Sequence, residues 1–575
     1  MRAARATPST RPVIHQTPPF GPDPGPKGAW ELRLSDLPPI APERAGPALP
    51  AAAFAPLADP VFRMLWLVWI TANACMAMND VAAAWLMTSL TTSPVMVALV
   101  QTAATLPVFL LGLPSGALAD ILDRRRYFVV TQFWVAATAM LLCLAILSGV
   151  INPTLLLVLV FANGIGLAMR WPVYSAIVPE LVPRAQLPAA LALNGLAMNV
   201  SRIVGPVVAG ALIASVGTAY VFVLNAVLSV VAGLLILRWR SAQKASALPG
   251  ERFLGAMRVG VQYVRQSARM RAVLIRVMTF FAQSTALIAL LPLVARGMEG
   301  GSAGTYTLLF ASLGCGAILS VFMLPRLRQA RTRDELVRDG SWAQAIAMVA
   351  AGFAPNVYVA VPIMVVAGMA WLTVANSISI AAQLALPNWV RARGMSTFQV
   401  ALMGGAGLGA ALWGQVAAMT DVRTSLATAA VAGVAVLWLT RRYRVEGDAE
   451  EDLTPSQDWK VPVTALPIDP DAGPVLTTIE YRIDPARAHE FRQVMQESRS
   501  SRLRQGALSW ELFRDTNDPG RFLEYFVDES WVEHLRRFDR VTASDVTLRA
   551  RRLSFHLGDQ PPLVTRCIAE SVGRR

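Results

Sequence analysis

Three charged side chains, Asp80, Arg170 and Arg202, stand inside stretches that are otherwise apolar. A charge in hydrocarbon is costly, so such a residue faces a cavity or a partner and marks an ion or ligand path. A carboxylate such as Asp80 can take up and release a proton, or it can pair with an arginine. The guanidiniums of Arg170 and Arg202 can hold an anion or tie helices together. Asn73, Gln283, Asn376 and Gln399 add neutral polar groups within the same stretches. Side chains of this kind line cavities or hydrogen-bond between helices. The expectation is that Asp80 couples an ion, that Asn73, Arg170, Gln283, Asn376 and Gln399 line a cavity, and that Arg202 packs helices.

The elements that must position these groups follow from composition. The chain has 575 residues, of which 54% are hydrophobic and 16% charged. Soluble domains carry about 25% charged residues. Between Val61 and Thr440 there are ten acids: Asp80, Asp120, Asp123, Glu180, Glu251, Glu299, Asp334, Glu335, Asp339 and Asp421. Between them run apolar stretches about 20 residues long, which is bilayer-spanning length. This excludes a soluble enzyme, a fibrous protein and a disulfide scaffold. Twelve spans are expected, at 62–89, 94–117, 127–149, 153–178, 187–214, 218–237, 272–296, 303–325, 340–355, 357–383, 393–419 and 422–440. Those at 340–355 and 422–440 carry the weakest signal, being short or rich in Ala and Gly. The four cysteines and four histidines show no metal-ligand spacing. No histidine lies in a span, which excludes a histidine proton relay. No cofactor and no metal are expected.

Loop charges orient the spans through the positive-inside rule. Arg124, Arg125 and Arg126 follow the second span, Arg184 the fourth, and eight bases from Arg238 to Arg271 the sixth. Arg326, Arg328, Arg331, Arg333 and Arg338 follow the eighth, and Arg391 and Arg393 the tenth. The alternate loops are nearly bare of bases, with Arg296 and Arg423 as exceptions. Both termini are therefore expected in the cytoplasm. The net charge of +14 reads as this topological signal and not as a nucleic-acid footprint.

Six segments are expected. Residues 1–57 form a disordered leader, with 12 prolines in the first 50 residues and too little apolar surface to fold. Residues 58–237 and 272–440 form two six-helix bundles. Residues 238–271 link them through an amphipathic helix with Leu254, Met257, Val261 and Val264 on one face, expected to lie along the membrane surface. Residues 441–472 are a polar linker and 473–572 a separate soluble domain. The halves echo each other: Pro183, Gly205 and Gly210 recur as Pro387, Gly409 and Gly414, each 204 residues on. Such repeats build transporters that alternate around a midplane site.

After the second span comes Gly116-Ala-Leu-Ala-Asp120-Ile-Leu-Asp123-Arg124-Arg125-Arg126. It resembles the loop motif of the major facilitator superfamily, departing from it at Ile121 and Asp123. The resemblance implies a gating role for Gly116, Asp120, Arg124, Arg125 and Arg126. The fifth span carries Ser201-Arg202-Ile-Val-Gly205-Pro206-Val-Val-Ala209-Gly210. This resembles the drug:proton antiporter element, with two glycines replaced, and it implies helix packing by Arg202, Gly205, Pro206 and Gly210. The fourth span has Val160 where those antiporters carry an arginine. The stretches Pro179–Arg184, Arg202–Pro206 and Pro387–Gly394 resemble the branch containing the enterobactin exporter, macrolide-efflux permeases and transmembrane secretion effectors.

The tail alternates strand-like and helix-like segments. Val475–Arg482, Leu508–Asp515, Arg521–Val527 and Leu563–Ala569 are strand-like; Pro485–Ser500 and Ser530–Asp539, running on towards Arg552, are helix-like. The order βαββαβ is that of a ferredoxin-like α+β domain. Trp510–Asp515 and Ser530–His534 resemble antibiotic-biosynthesis-monooxygenase-type domains, which implies a homodimer through the tail. The fold class expected is thus an all-α membrane protein with a cytoplasmic α+β domain. The function expected is secondary active export of a small amphipathic molecule (a siderophore, drug or secondary metabolite) by proton antiport across a bacterial inner membrane. The chain is not expected to be an enzyme, and no nucleotide-binding motif for ATP coupling is present. The alternative is a membrane-anchored enzyme or sensor acting through the tail.

Overall fold

The computed structural model describes residues 54–121, 123–183, 186–239, 253–387, 389–446 and 467–570, with 452–454, 456 and 464 between the last two. The leader up to residue 53, Arg184, most of the basic loop 240–252 and much of the 441–472 linker lie outside the described residues.

Six long helices form the first bundle: α1 (Pro60–Leu90), α2 (Pro94–Ile121), α3 (Arg124–Leu147), α4 (Pro153–Leu181), α5 (Leu187–Ser215) and α6 (Thr218–Arg238). A shorter helix, α7 (Phe253–Gln266), leads into the second bundle. That bundle is α8 (Ala268–Gly297), α9 (Ala303–Ala330), α10 (Arg333–Phe353), α11 (Val357–Leu384), α12 (Arg391–Met419) and α13 (Val422–Leu439). Turn chemistry sets several starts. Asp59 before Pro60 and Asn152 before Pro153 accept backbone N–H bonds as N-caps, and Ser302, Asn356 and Asp421 do the same for α9, α11 and α13.

Of the twelve helices in the two bundles, eleven are long and apolar enough to cross a membrane. The exception is α10. Its first two turns carry Arg333, Asp334, Glu335, Arg338 and Asp339, so its apolar part is shorter than a bilayer core. A capping box between Thr332 and Glu335 starts the helix seven residues before the expected 340. Asp334 accepts from the backbone N–H groups of Val445 and Glu446, at 2.7 and 3.1 Å, which ties the chain leaving α13 to this charged turn.

The packing repeats between bundles. α1 packs on α5, α2 on α4, and α3 on α6; likewise α8 packs on α12, α9 on α11, and α10 on α13. The bundles meet where α2 packs on α12 and α5 on α9. The recurring glycines account for both sets of contacts. A Cβ at Gly205 would lie 2.6 Å from Ala77 Cβ on α1, and one at Gly409 would lie 2.2 Å from Ala282 O on α8. Five residues on, a Cβ at Gly210 would lie 2.2 Å from Thr307 on α9, and one at Gly414 would lie 2.4 Å from Ala98 on α2. The first pair brings helices together within each bundle and the second brings the bundles together. Only a missing side chain permits such approach.

The tail forms a four-stranded antiparallel sheet, β1 (Val475–Arg482), β2 (Ser509–Arg514), β3 (Arg521–Asp528) and β4 (Leu563–Ile568), in the order β2-β3-β1-β4. Helices α14 (Ala488–Arg504), α15 (Trp531–Asp539) and α16 (Ala543–Leu553) belong to the same unit. The single second helix expected from sequence is two, broken at Arg540–Thr542. Phe491, Met495, Phe522, Phe526 and Phe555 fill the core. Glu524 is also fully buried there, accepting from Tyr481 Oη (3.0 Å), Arg502 Nε (3.1 Å), Trp510 Nε1 (3.0 Å) and Arg552 Nη1. Burial pushes its carboxyl up, but Arg502, Arg552 and the Trp510 N–H outweigh that and hold it at about 2.

The faces of α7 are taken by protein. Tyr263 and Val264 join the apolar cluster at the start of the second bundle, and Tyr263 Oη donates to Ala385 O at 3.1 Å. On the tail side, Gln262 Nε2 donates to Ala507 O (2.6 Å) and Arg258 pairs with Glu529 (2.6 Å). Val261, on the face expected to lie along the membrane, is 39% exposed, whereas Val259 is 1% exposed. Of the stripe Leu254, Met257, Val261 and Val264, expected along the membrane surface, Val264 packs into the second bundle and Val261 is exposed. Val259 and Tyr263 are buried as well, and the side chains of Leu254 and Met257 lie outside the described residues.

Candidate functional site

The cores divide differently at the two ends of the bundles. Helix ends near α7 and the tail are called proximal here, and the opposite ends distal. At the distal end one apolar cluster runs through both bundles, from Met78–Met87 and Val97–Val100 to Ala286–Met298 and Tyr306–Leu313. At the proximal end there are two separate clusters. One holds Phe62, Trp69, Phe128, Tyr174 and Ile236 of the first bundle; the other holds Val273, Phe281, Ile378 and Phe398 of the second. The bundles share one core distally and keep separate cores proximally.

Of the charged groups, Arg202 contacts the other bundle, whereas the contacts of Arg170 lie within its own. Arg170, 4% exposed, reaches from α4 to α1, where Nη2 donates to Ala72 O at 3.3 Å and the guanidinium lies 5.8 Å from the Trp69 ring centre. Trp69 stacks on Tyr174 with centroids 3.9 Å apart, and Tyr174 Oη donates to Asn194 Oδ1 at 2.8 Å. Arg202 crosses between bundles: its guanidinium lies 4.8 Å over the ring of Trp371 on α11. Among the described residues no carboxylate pairs with either arginine. Asp80 is half-buried on α1, eight residues beyond Ala72, or about 12 Å along the helix axis. It makes no ion pair with Arg170 or Arg202.

The other polar candidates are placed differently. Asn73 is 3% exposed and donates to Trp69 O of its own helix at 2.7 Å. Gln283 faces Gly433 of α13, where an added Cβ would lie 2.2 Å from its Oε1. That puts it inside the second bundle, away from the division. Asn376 on α11 and Gln399 on α12 are half-buried. Gly116 and Asp120 belong to α2, with side chains outside the described residues. Of the arginine run, Arg125 donates to Ile236 O (3.4 Å) and to Leu237 O, capping the end of α6 within the first bundle. Asp123 accepts from Arg126 N at 2.8 Å and starts α3.

Sequence reasoning missed the aromatic partners, Trp69 and Trp371, because they stand 98 or more residues from the arginines they face. In the tail, His534 is a buried structural group. Its Nε2 accepts from Arg566 Nε (3.2 Å), so Nδ1 carries the hydrogen and donates to Asp528 Oδ2 (2.8 Å). The ring also stacks on Trp531 at 5.3 Å. No group of three or more metal-ligating side chains occurs among the described residues.

A single family model, described as "Transmembrane secretion effector", matches residues 51–573. The chain belongs to that family. Eleven helices of membrane-crossing length and apolarity agree with the word transmembrane in that description. Curated relatives agree in kind. The chain is 23% identical over 224 residues to the staphyloferrin A transporter of Staphylococcus aureus, covering 38% of this chain and 56% of that one. It is 22% identical over 303 residues to macrolide efflux protein A of Streptococcus pyogenes, covering 51% of this chain and 73% of that one. The chain thus spans little more than half of the first relative. Among solved structures, nucleoside transporter NupG matches with a TM-score of 0.55 at 13% identity, covering 67% of this chain and 99% of that one. A bacterial homologue of the lysosomal transporter Spinster, inward-facing and occupied, gives 0.52 at 16% identity, covering 68% and 98%. These likenesses concern the fold.

Proposed function

We propose that the chain is a proton-driven exporter of a small neutral or anionic amphiphile. The observation that carries this is two arginines within the spans without acid partners, each against a tryptophan, one of them (Arg202) reaching across the bundles, and one unpaired carboxylate further out. In this reading α10 is the twelfth span, both termini are cytoplasmic, and the membrane is the bacterial inner membrane. The proximal end then faces the cytoplasm, and the parted proximal clusters correspond to an inward-open state that admits cargo from inside.

Arg170 and Arg202 give the path a positive field, which disfavours lipophilic cations and favours carboxylates or neutral amphiphiles. Trp69 and Trp371 offer flat apolar surfaces beside each charge. A siderophore or an acidic secondary metabolite fits this chemistry, and the names of the relatives, a siderophore transporter and macrolide efflux proteins, support the same class. Asp80 is the coupling carboxylate. The tail, with βαββαβ order and strand order 2-3-1-4, is ferredoxin-like in this reading, and its outer sheet face, carrying Phe513 and Tyr525, is the homodimer surface.

Arg170→Gln tests the cargo assignment. A charge-assisted hydrogen bond contributes about 1.5–3 kcal/mol, so the variant should lose about ten- to a hundredfold in apparent affinity for an anionic ligand. A neutral ligand of matched size should be little affected. Competition among matched anionic, neutral and cationic ligands measures this. Preferential transport of the cation by the unmodified protein would overturn the assignment.

A further inference from the structure

Arg296 is one of two bases that the positive-inside pattern leaves unexplained, and its surroundings give it a task. It ends α8 on the distal side, where its guanidinium lies 4.8 Å over the ring of Trp85 on α1. Trp85 in turn stacks on Tyr306 of α9, with centroids 6.0 Å apart and planes within 14°. Tyr306 packs edge-on against Phe310 and is 2% exposed. Arg423, the other exception, lies 5.9 Å from the ring of Phe353 within its own bundle. The Arg296 contact differs because it crosses from the second bundle to the first.

Helix α1 belongs to one bundle, and α8 and α9 to the other. The stack Arg296–Trp85–Tyr306 therefore joins three helices across the division, at the end where the two cores merge. We propose that these three residues form the latch that holds the distal end shut, with Asp80 five residues before Trp85, about 7.5 Å along α1. This rests on the reading of the chain as an alternating-access transporter.

The physical basis is plain. A guanidinium over an indole and an offset-stacked aromatic pair each add specific attraction beyond burial. Both contacts are lost when the bundles separate distally, and neither is replaced within a single bundle.

The test uses the full chain in nanodiscs, with Cys75, Cys143, Cys315 and Cys567 replaced. Thr92→Cys and Glu299→Cys, both on exposed distal turns, carry spin labels, and double electron–electron resonance reads the distance across the distal end. The latched protein should give one short distance. Trp85→Ala should raise the separated population about tenfold, Arg296→Gln should raise it less, and Trp85→Phe should restore the short distance. An unchanged distribution in folded Trp85→Ala, or in Arg296→Gln should Trp85→Ala fail to fold, would overturn the latch. Transport measured alongside separates the two readings: the latch can fail while transport persists, and an intact latch without transport would count against the transporter reading alone.

Discussion

Asp80→Asn should leave exchange of cargo down its own gradient intact and abolish accumulation driven by a proton gradient. Asn matches Asp in size and hydrogen-bonding reach but cannot change charge. If Asp80 were only a packing group, this substitution would be nearly silent. If it carries the coupling proton, the variant is fixed in one loading state and the two gradients are disconnected. Asp80 suits the second role by its position. It is the one acid well inside a span and away from the helix ends. It is half-buried and has no ion-pair partner among the described residues. The measurement is paired. Counterflow of labelled cargo should persist at the wild-type rate, while accumulation under an imposed pH gradient should fall to that of protein-free vesicles. Retained accumulation would remove Asp80 from the coupling path.

The second large effect lies in the tail. Glu524→Gln should unfold it, or nearly so. Glu524 is 0% exposed and is the anion shared by Arg502 and Arg552. Removing one partner of a buried ionic cluster costs about 3–5 kcal/mol, because the remaining charges stay buried without compensation. Whole domains are stable by only about 5–15 kcal/mol. The sign with pH follows from the lowered carboxyl. It titrates at about 2 in the folded tail and at about 4.3 in an unfolded chain. Its contribution is complete above the unfolded value and is lost as pH falls through about 2. The unmodified tail should therefore resist mild acid that other carboxylates do not survive. Limited proteolysis of the full-length protein, scored at the tail and at the helical region separately, reads this. A Glu524→Gln tail as resistant as the unmodified one would refute the account of its core.

Legibility from sequence followed the range of the interactions. Apolar length is local, and it placed the helices to within a few residues, except at α10. There a capping box and five charges form the first turns of a helix whose apolar part alone is too short to span. The 204-residue offset of Gly205 and Gly409 was legible because close approach demands glycine whatever its partner. What those glycines touch was not legible, since Ala77 and Ala282 carry no signal of their own. The docking of α7 on the tail was invisible for a related reason. Its contacts, Gln262 with Ala507 and Arg258 with Glu529, join residues 245 and 271 apart. An amphipathic stretch looks the same whether it meets lipid or protein. For the candidate site, the charges were found because charge in an apolar run is rare. Their aromatic partners were not, because tryptophan in such a run is ordinary.

The central claim is vectorial, proton-driven export, and everted membrane vesicles containing the full-length protein test it most directly. With the interior made acidic, they should accumulate an anionic amphiphile above its external concentration and release it when a protonophore collapses the gradient. Accumulation that ignores the protonophore, or none above that of vesicles lacking the protein, would contradict the account.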